Sequence, residues 1–285
     1  MNFDENTLTD AVLARISTDS DPRVRQVMSS LIRHLHAFVR EVEPTEAEWF
    51  EGIRFLTETG HMCDDKRQEF ILMSDTLGVS MLVDAINHRV PAGATETTVF
   101  GPFFVQGAPE LPRWGDVARG QPGVPCFVSG TVRDTQGRAV PGAVIDVWQT
   151  DGVDGVYDVQ KADGSMFCRG RVTTDADGRY AFRTVQPVSY PVPDDGPVGR
   201  MLRRMGRHPW RPAHIHTMVA RDGYRTLTTH IFVKGDAYLT SDAVFGVKDS
   251  LVVEFHPHLA GATPDGGRSD VPFTTAQYDF VLAAD

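Results

Sequence analysis

Residues 211–216 read Arg-Pro-Ala-His-Ile-His, and Thr-Met-Val-Ala continues at 217–220. The second half of that run reads as a strand. Successive strand side chains point to opposite faces, so His214 and His216 share a face while Ile215 points away. Two imidazoles one strand step apart can chelate one metal ion. On its own the pattern fits two surface histidines better, because short motifs match by chance. Two tyrosines in loop contexts lie upstream. Tyr157 sits in Asp154-Gly155-Val156-Tyr157-Asp158, and Tyr190 in Pro187-Val188-Ser189-Tyr190-Pro191-Val192-Pro193. A lone loop tyrosine is usually a packing residue with a wet hydroxyl. Two of them ahead of a His-x-His are a rarer combination.

The elements that must position these residues change type along the chain. Residues 1–92 read as helical. Asp21-Pro22 is an N-cap followed by proline at the first helical position. Val24, Val27, Met28, Leu31, Leu35, Phe38, Val39 and Val42 then recur at three- and four-residue spacing, and Pro44 ends the run. Thr45 to Glu48 is a capping box opening a helix expected to bury Trp49, Ile53 and Leu56. A further helix is expected from Asp64 to Leu77, with Gly78 interrupting before residues 81–86 resume. The apolar stripes are wide for helices covering one side of a core, which points to a helical dimer interface.

Pro91-Ala92-Gly93 marks the boundary, so 93–285 forms the second expected domain. Its short alternating runs with Asp/Gly turns predict a β-sandwich, making the chain mainly β with a helical N-terminal domain. Gly130 to Arg138 and Gly170 to Arg179 resemble each other, and both read as hairpins. Gly196 to Met205 reads as one inserted helix.

Composition bounds the function. The 285 residues are 41% hydrophobic and 23% charged, an ordinary globular balance. A net charge of −10 argues against nucleic acid or an anionic membrane as partner. No run of 18 apolar residues predicts a spanning helix, and the acidic start of the chain lacks a secretion signal. Cys63, Cys126 and Cys168 are odd in number and scattered, which fits the cytoplasm. No Gly-x-Ser-x-Gly elbow, P-loop or dinucleotide fingerprint occurs.

The ordered set Tyr157, Tyr190, then Arg211-Pro-x-His214-x-His216 resembles the intradiol ring-cleaving dioxygenases, non-haem iron(III) enzymes of the catechol type. The resemblance runs from about Ile71 to Val253 and matches the helix-then-sandwich order. It implies iron held by Tyr157, Tyr190, His214 and His216. It implies catalytic roles for Tyr190, Arg211 and His230, with Tyr190 the axial tyrosine that leaves and acts as base. Glu96 to Phe104 and Thr229-His230-Ile231-Phe232-Val233 look most like the branch that cleaves hydroxyquinol; catechol enzymes usually carry glutamine at the position of His230. The resemblance places Leu72, Asp75, Val99, Phe100 and Gly101 around the substrate. Pro102, Phe103, Val192, Pro193, Arg211 and Val244 complete that set. Asp75 is expected to accept a hydrogen bond from the additional hydroxyl. The resemblance further implies O2 as co-substrate, a homodimer and a phospholipid between the N-terminal helices.

Charge counting agrees with ferric iron. Phenolates are hard anionic donors, and Fe(III) with two tyrosinates and a hydroxide is neutral, which spares a buried site the cost of an unpaired charge. Three other readings stand beside this one. One is cleavage of catechol or chlorocatechol. Another is a metal-free β-sandwich binding module. The last is a zinc hydrolase using His214, His216 and either His256 or His258, although no strand pattern frames His256-Pro257-His258.

Overall fold

The computed structural model describes residues 3–64, 67–161 and 164–285. Two compact units divide them, Met1–Glu58 and Thr59–Asp285.

The helices in chain order are α1 (Leu8–Leu13), α2 (Pro22–Val42), α3 (Glu46–His61), α4 (Glu69–Thr76), α5 (Val79–Asn87) and α6 (Pro197–Arg204). Asp21 caps α2 as expected, its carboxylate accepting from the N–H groups of Arg23 and Val24 at 2.9 Å. The left-handed Glu43 and then Pro44 end it. Thr45 and Glu48 form the capping box: Glu48 accepts from the Thr45 N–H at 2.8 Å, and the Thr45 hydroxyl accepts from the Glu48 N–H at 3.3 Å. Two expectations need correcting. Trp49, Ile53 and Leu56 are exposed rather than buried, because nothing in the described chain covers that face of α3. The helix expected from Asp64 begins only at Glu69. Asp64 instead accepts the Arg67 N–H in a turn; Asp65 and Lys66 lie outside the described residues.

The strands are β1 (Gly115–Asp116), β2 (Pro125–Asp134), β3 (Val144–Trp148), β4 (Arg169–Thr173), β5 (Arg179–Val185), β6 (Tyr190–Pro191), β7 (Trp210–Arg211) and β8 (His214–Ala220). They continue with β9 (Leu227–Val233), β10 (Val252–Val253), β11 (His256–His258), β12 (Gly261–Ala262), β13 (Arg268–Ser269), β14 (Phe273–Gln277) and β15 (Phe280–Leu282). One sheet runs β1-β5-β2-β14-β11 with β15 also on β2; the other runs β10-β9-β8-β3-β4. Val128, Val132, Tyr180, Phe182 and Phe280 of the first pack against Ile145, Val147, Ile215, Val219 and Ile231 of the second. Fully burying each such aliphatic or aromatic side chain contributes about 1.5–3 kcal/mol, and this inter-sheet layer holds the two sheets together.

The two Asp/Gly segments do turn, each with a backbone N–H of glycine donating to the aspartate carbonyl three residues back. They are not simple hairpins. β2 pairs with β5 and β3 with β4, so both turns carry the chain between sheets. His256-Pro257-His258 is also a strand, contrary to expectation, at the edge of its sheet where β14 is its partner. An edge strand tolerates proline because no ladder bond is lost on the open side.

Candidate metal centre

Alternation along β8 sorts its side chains as anticipated. Ile215 lies in the core between the sheets, and His214 and His216 point to the other face. Register then builds a row across three strands: Trp148 on β3 and His230 on β9 are the partners of His216. The Trp148 indole stacks on His216 with centroids 4.8 Å apart at 14°. The His230 ring meets His216 edge-on at 4.1 Å and stacks on His214 at 4.6 Å.

The other polar groups come from the short β6–β7 ladder and the loop after β3. Tyr190 and Arg211 are register partners in that ladder. A chain of short separations results. Tyr157 Oη is 3.2 Å from Tyr190 Oη, which is 3.3 Å from Arg211 Nη1. Arg211 Nη1 is 3.3 Å from His214 Nε2, itself 3.1 Å from His216 Nε2. His214 Nδ1–H donates to the Pro212 carbonyl at 2.7 Å, which leaves Nε2 as the lone-pair nitrogen facing inward.

Buried carboxylates fix each segment. Asp151 accepts the N–H groups of Val153, Asp154 and Gly155, shaping the approach to Tyr157. Asp158 forms a buried ion pair with Arg169, whose Nη2 also donates to the Phe103 carbonyl at 3.0 Å. The Phe103 ring stacks on Tyr157 at 4.3 Å. Asp236 ties the Tyr190 segment to the His214 strand by accepting from Ser189 Oγ at 2.5 Å and the Ala213 N–H at 3.0 Å.

Electrostatics suit a cation. Burial first, then neighbouring cationic groups, hold His214, His216 and His230 well below the usual imidazole range, so all three are neutral ligand-type nitrogens. Burial and then the adjacent Tyr190 push Tyr157 well above the usual phenol range. Its deprotonation therefore requires a strong cation beside it. Burial opposes the Arg211 charge, but Asp242 and the tyrosines outweigh it and the guanidinium stays charged.

The donor set fits a metal ion. Two imidazole nitrogens 3.1 Å apart and two phenol oxygens 3.2 Å apart have the spacing of neighbouring ligands at bond lengths of about 2.0–2.2 Å. His230 also lies near, with ligand atoms of the three histidines within 4.8 Å. Its ring is stacked near-parallel on His214, at 18°, so the two rings' in-plane lone pairs do not converge on one ion. Hard phenol oxygens beside imidazoles suit iron(III) better than zinc. The zinc reading loses its third ligand as well, since His256 and His258 are exposed on the edge of the other sheet.

A cavity of about 780 Å³ adjoins this cluster. Tyr190 and Arg211 form part of its wall, together with Leu72, Asp75, Val99, Gly101, Pro102, Phe103, Val192, Pro193 and Val244.

Residues 99–284 match the family model described as dioxygenase, and residues 21–95 the one described as catechol dioxygenase N terminus. Hydroxyquinol 1,2-dioxygenase of Nocardioides simplex is 53% identical over 280 residues, covering 98% of this chain and 95% of that protein. The chain belongs to the intradiol ring-cleavage dioxygenases. 6-Chlorohydroxyquinol 1,2-dioxygenase of Cupriavidus pinatubonensis is 56% identical over 252 residues, covering 88% of this chain and 91% of that one. The crystal structure of hydroxyquinol 1,2-dioxygenase from Pseudomonas putida DLL-E4 superposes with a TM-score of 0.93 at 53% identity, covering 99% of both chains.

For an intradiol dioxygenase the placement of the anticipated residues is informative. Tyr157, Tyr190, Arg211, His214 and His216 converge. Of the anticipated substrate contacts, Phe100 does not line the cavity; it packs on Phe104 and Trp148. His230 is fully buried behind the two imidazoles and does not line the cavity either. Sequence reasoning missed Trp148, Asp158, Arg169, Asp236 and Asp242.

Gly101 makes a testable contact. Its φ is +75°, and a Cβ there would sit 3.0 Å from His216 Cε1. Gly101→Ala therefore combines left-handed strain of about 1–2 kcal/mol with pressure on the His216 ring. We expect several-fold less bound iron under limiting metal, read by metal analysis. Full iron loading would mean that the ring has room to give.

Proposed function

We propose that this dioxygenase inserts both atoms of O2 into hydroxyquinol, 1,2,4-trihydroxybenzene, giving 3-hydroxy-cis,cis-muconate and its keto form, maleylacetate. The observation that carries the reading is the convergence of Tyr157, Tyr190, His214 and His216 beside a cavity that also holds the buried Asp75. The substrates of the two relatives, hydroxyquinol 1,2-dioxygenase and 6-chlorohydroxyquinol 1,2-dioxygenase, support the substrate class.

Iron(III) bound by those four side chains would withdraw electron density from an ortho-diol and open a ring carbon to O2. The protein's own groups do the rest. Tyr190 lines the cavity and its Oη takes a proton from the incoming diol, whereas Tyr157 is absent from the cavity wall and stays in place. Arg211 Nη1, beside Tyr190 Oη, stabilises negative charge growing on the ring. Asp75 accepts a hydrogen bond from the third hydroxyl. Leu72, Val99, Val192 and Val244 pack together and keep water off the ring faces. His230 acts through the two imidazoles it packs on. Metal analysis and the visible spectrum test the centre together. Iron with a red tyrosinate charge-transfer band is expected, and zinc or a colourless protein would refute it.

We further propose that residues 1–92 form a dimerisation domain and 93–285 the catalytic domain, with α4 lending Leu72 and Asp75 to the pocket. Val24, Val27, Met28, Leu31, Leu35, Phe38, Val39 and Val42 on α2 are each 41% to 56% exposed. A continuous apolar stripe of that length marks an interaction surface. A homodimer with a phospholipid between these helices would cover it. Light scattering at micromolar concentration is expected to give twice the chain mass; a monomer there would remove the dimer. Mass spectrometry of a solvent extract tests the lipid. No helix among the described residues is long and apolar enough to cross a membrane. Three unpaired cysteines favour a cytoplasmic enzyme.

A further inference from the structure

We propose that Asp242 is a positioning residue for the reaction, acting through Arg211. The inference rests on the ferric intradiol reading and adds a residue to it.

Arg211 is buried, and its guanidinium is a rigid planar fork. Asp242, buried as well, grips one edge of that fork. Nε donates to Oδ1 at 3.0 Å and Nη2 to Oδ2 at 3.3 Å. With two of three nitrogens held, the plane cannot rotate, and Nη1 is aimed at Tyr190 Oη and His214 Nε2, each at 3.3 Å. The carboxylate is itself held from behind. Oδ2 accepts the Gly246 N–H at 2.9 Å, and Oδ1 the Val244 N–H at 3.3 Å. The Gly246 carbonyl in turn accepts from Thr98 Oγ1 at 2.6 Å. A Cβ on Gly246 would meet Arg211 Nη2 at 3.0 Å and Thr98 Oγ1 at 3.1 Å, so the packing around the pair leaves little slack. One carboxylate thereby sets the direction of Nη1.

The pair also settles a charge problem. A buried guanidinium without a counter-charge would be strongly unfavourable; paired with Asp242 it presents an N–H donor and little net charge.

Two variants separate aim from charge. Asp242→Asn removes the counter-charge and sets an NH2 against donors. Asp242→Glu keeps the charge but moves the carboxylate along the fork. Misplacement of a catalytic contact by about 1 Å can cost 10²-fold. We expect kcat on hydroxyquinol to fall about 10- to 100-fold in both variants, with KM within about threefold and iron content unchanged. The charge-transfer band should move to longer wavelength, because Tyr190 loses a donor. In an Arg211→Gln background, adding Asp242→Asn should lower kcat no further, as a double-mutant cycle requires of a residue acting through Arg211. Should Asp242→Asn fail to fold, Asp242→Glu decides alone. Wild-type kcat and spectrum in Asp242→Glu, or an undiminished loss in the Arg211→Gln background, would overturn the assignment. A wild type that is colourless and leaves hydroxyquinol intact would overturn the underlying reading, and this one with it.

Discussion

Tyr190→Phe is expected to keep iron and lose turnover. Three of the four proposed ligands remain in that variant, Tyr157, His214 and His216, and His214 and His216 stand on a strand fixed by its neighbours on both sides. What disappears is the phenol oxygen of a cavity-lining tyrosine, 3.3 Å from the Arg211 donor. A positioned general base contributes about 10²- to 10⁴-fold, and kcat should fall by that order. Iron content should drop by much less, and the visible band should weaken as one of two tyrosinates is lost. Tyr157 gives the contrast: it lies stacked on Phe103 and away from the cavity wall, and its loss should be felt in iron retention. Wild-type-like turnover in Tyr190→Phe would remove this residue from proton transfer.

Hydroxyquinol should be cleaved with a higher kcat/KM than catechol, by roughly 10- to 1,000-fold. The two substrates differ by one hydroxyl. A pocket built to bond that hydroxyl leaves a buried polar group unpaired when it is missing. Asp75 is buried on the cavity wall among Leu72, Val99 and Val244, where Ser80 supplies one hydrogen bond and the third hydroxyl would supply another. Asp75→Ala should narrow the ratio mainly by lowering the hydroxyquinol rate. Equal rates on the two diols in the wild type would count against the hydroxyquinol branch and leave the intradiol chemistry standing.

Asp75 also has a stability signature. Burial raises its pKa; Ser80 and Arg211 pull the other way, and Asp242 adds to the rise. The folded protein then binds this proton more tightly than the unfolded chain. Its contribution is favourable below the unfolded carboxyl pKa and is lost as pH climbs through the raised folded value. Asp75→Asn cannot ionise, so near neutral pH it should melt above the wild type, and the gap should close in acid. A lower melting temperature for Asp75→Asn at neutral pH would mean that the carboxylate is a net stabiliser.

The legible part of this molecule was the part written locally. Alternation around Ile215 foretold which way His214 and His216 face, and caps at Asp21 and Thr45 foretold where α2 and α3 begin. Tyr157 in its loop and Tyr190 in a two-residue strand carry no periodic signal, and they entered through their order ahead of the histidines. The turns at Asp134 and Asp175 were visible, but their strands' partners were not. A turn residue specifies a reversal, and pairing is decided by core packing between distant strands. Trp49, Ile53 and Leu56 obeyed helical periodicity yet stay exposed within one chain, since periodicity marks a face without naming what covers it. Asp242 lies 31 residues from Arg211 and Arg169 lies 11 from Asp158, separations at which no sequence pattern announces an ion pair.

Product analysis with hydroxyquinol under ¹⁸O2 tests the central claim most directly. The ferric intradiol account predicts one ring-opened product, 3-hydroxy-cis,cis-muconate or maleylacetate, whose two new carboxylate groups each carry one labelled atom. An aldehyde-bearing product from cleavage outside the diol, or hydroxyquinol left unchanged by the iron-loaded protein, would contradict it.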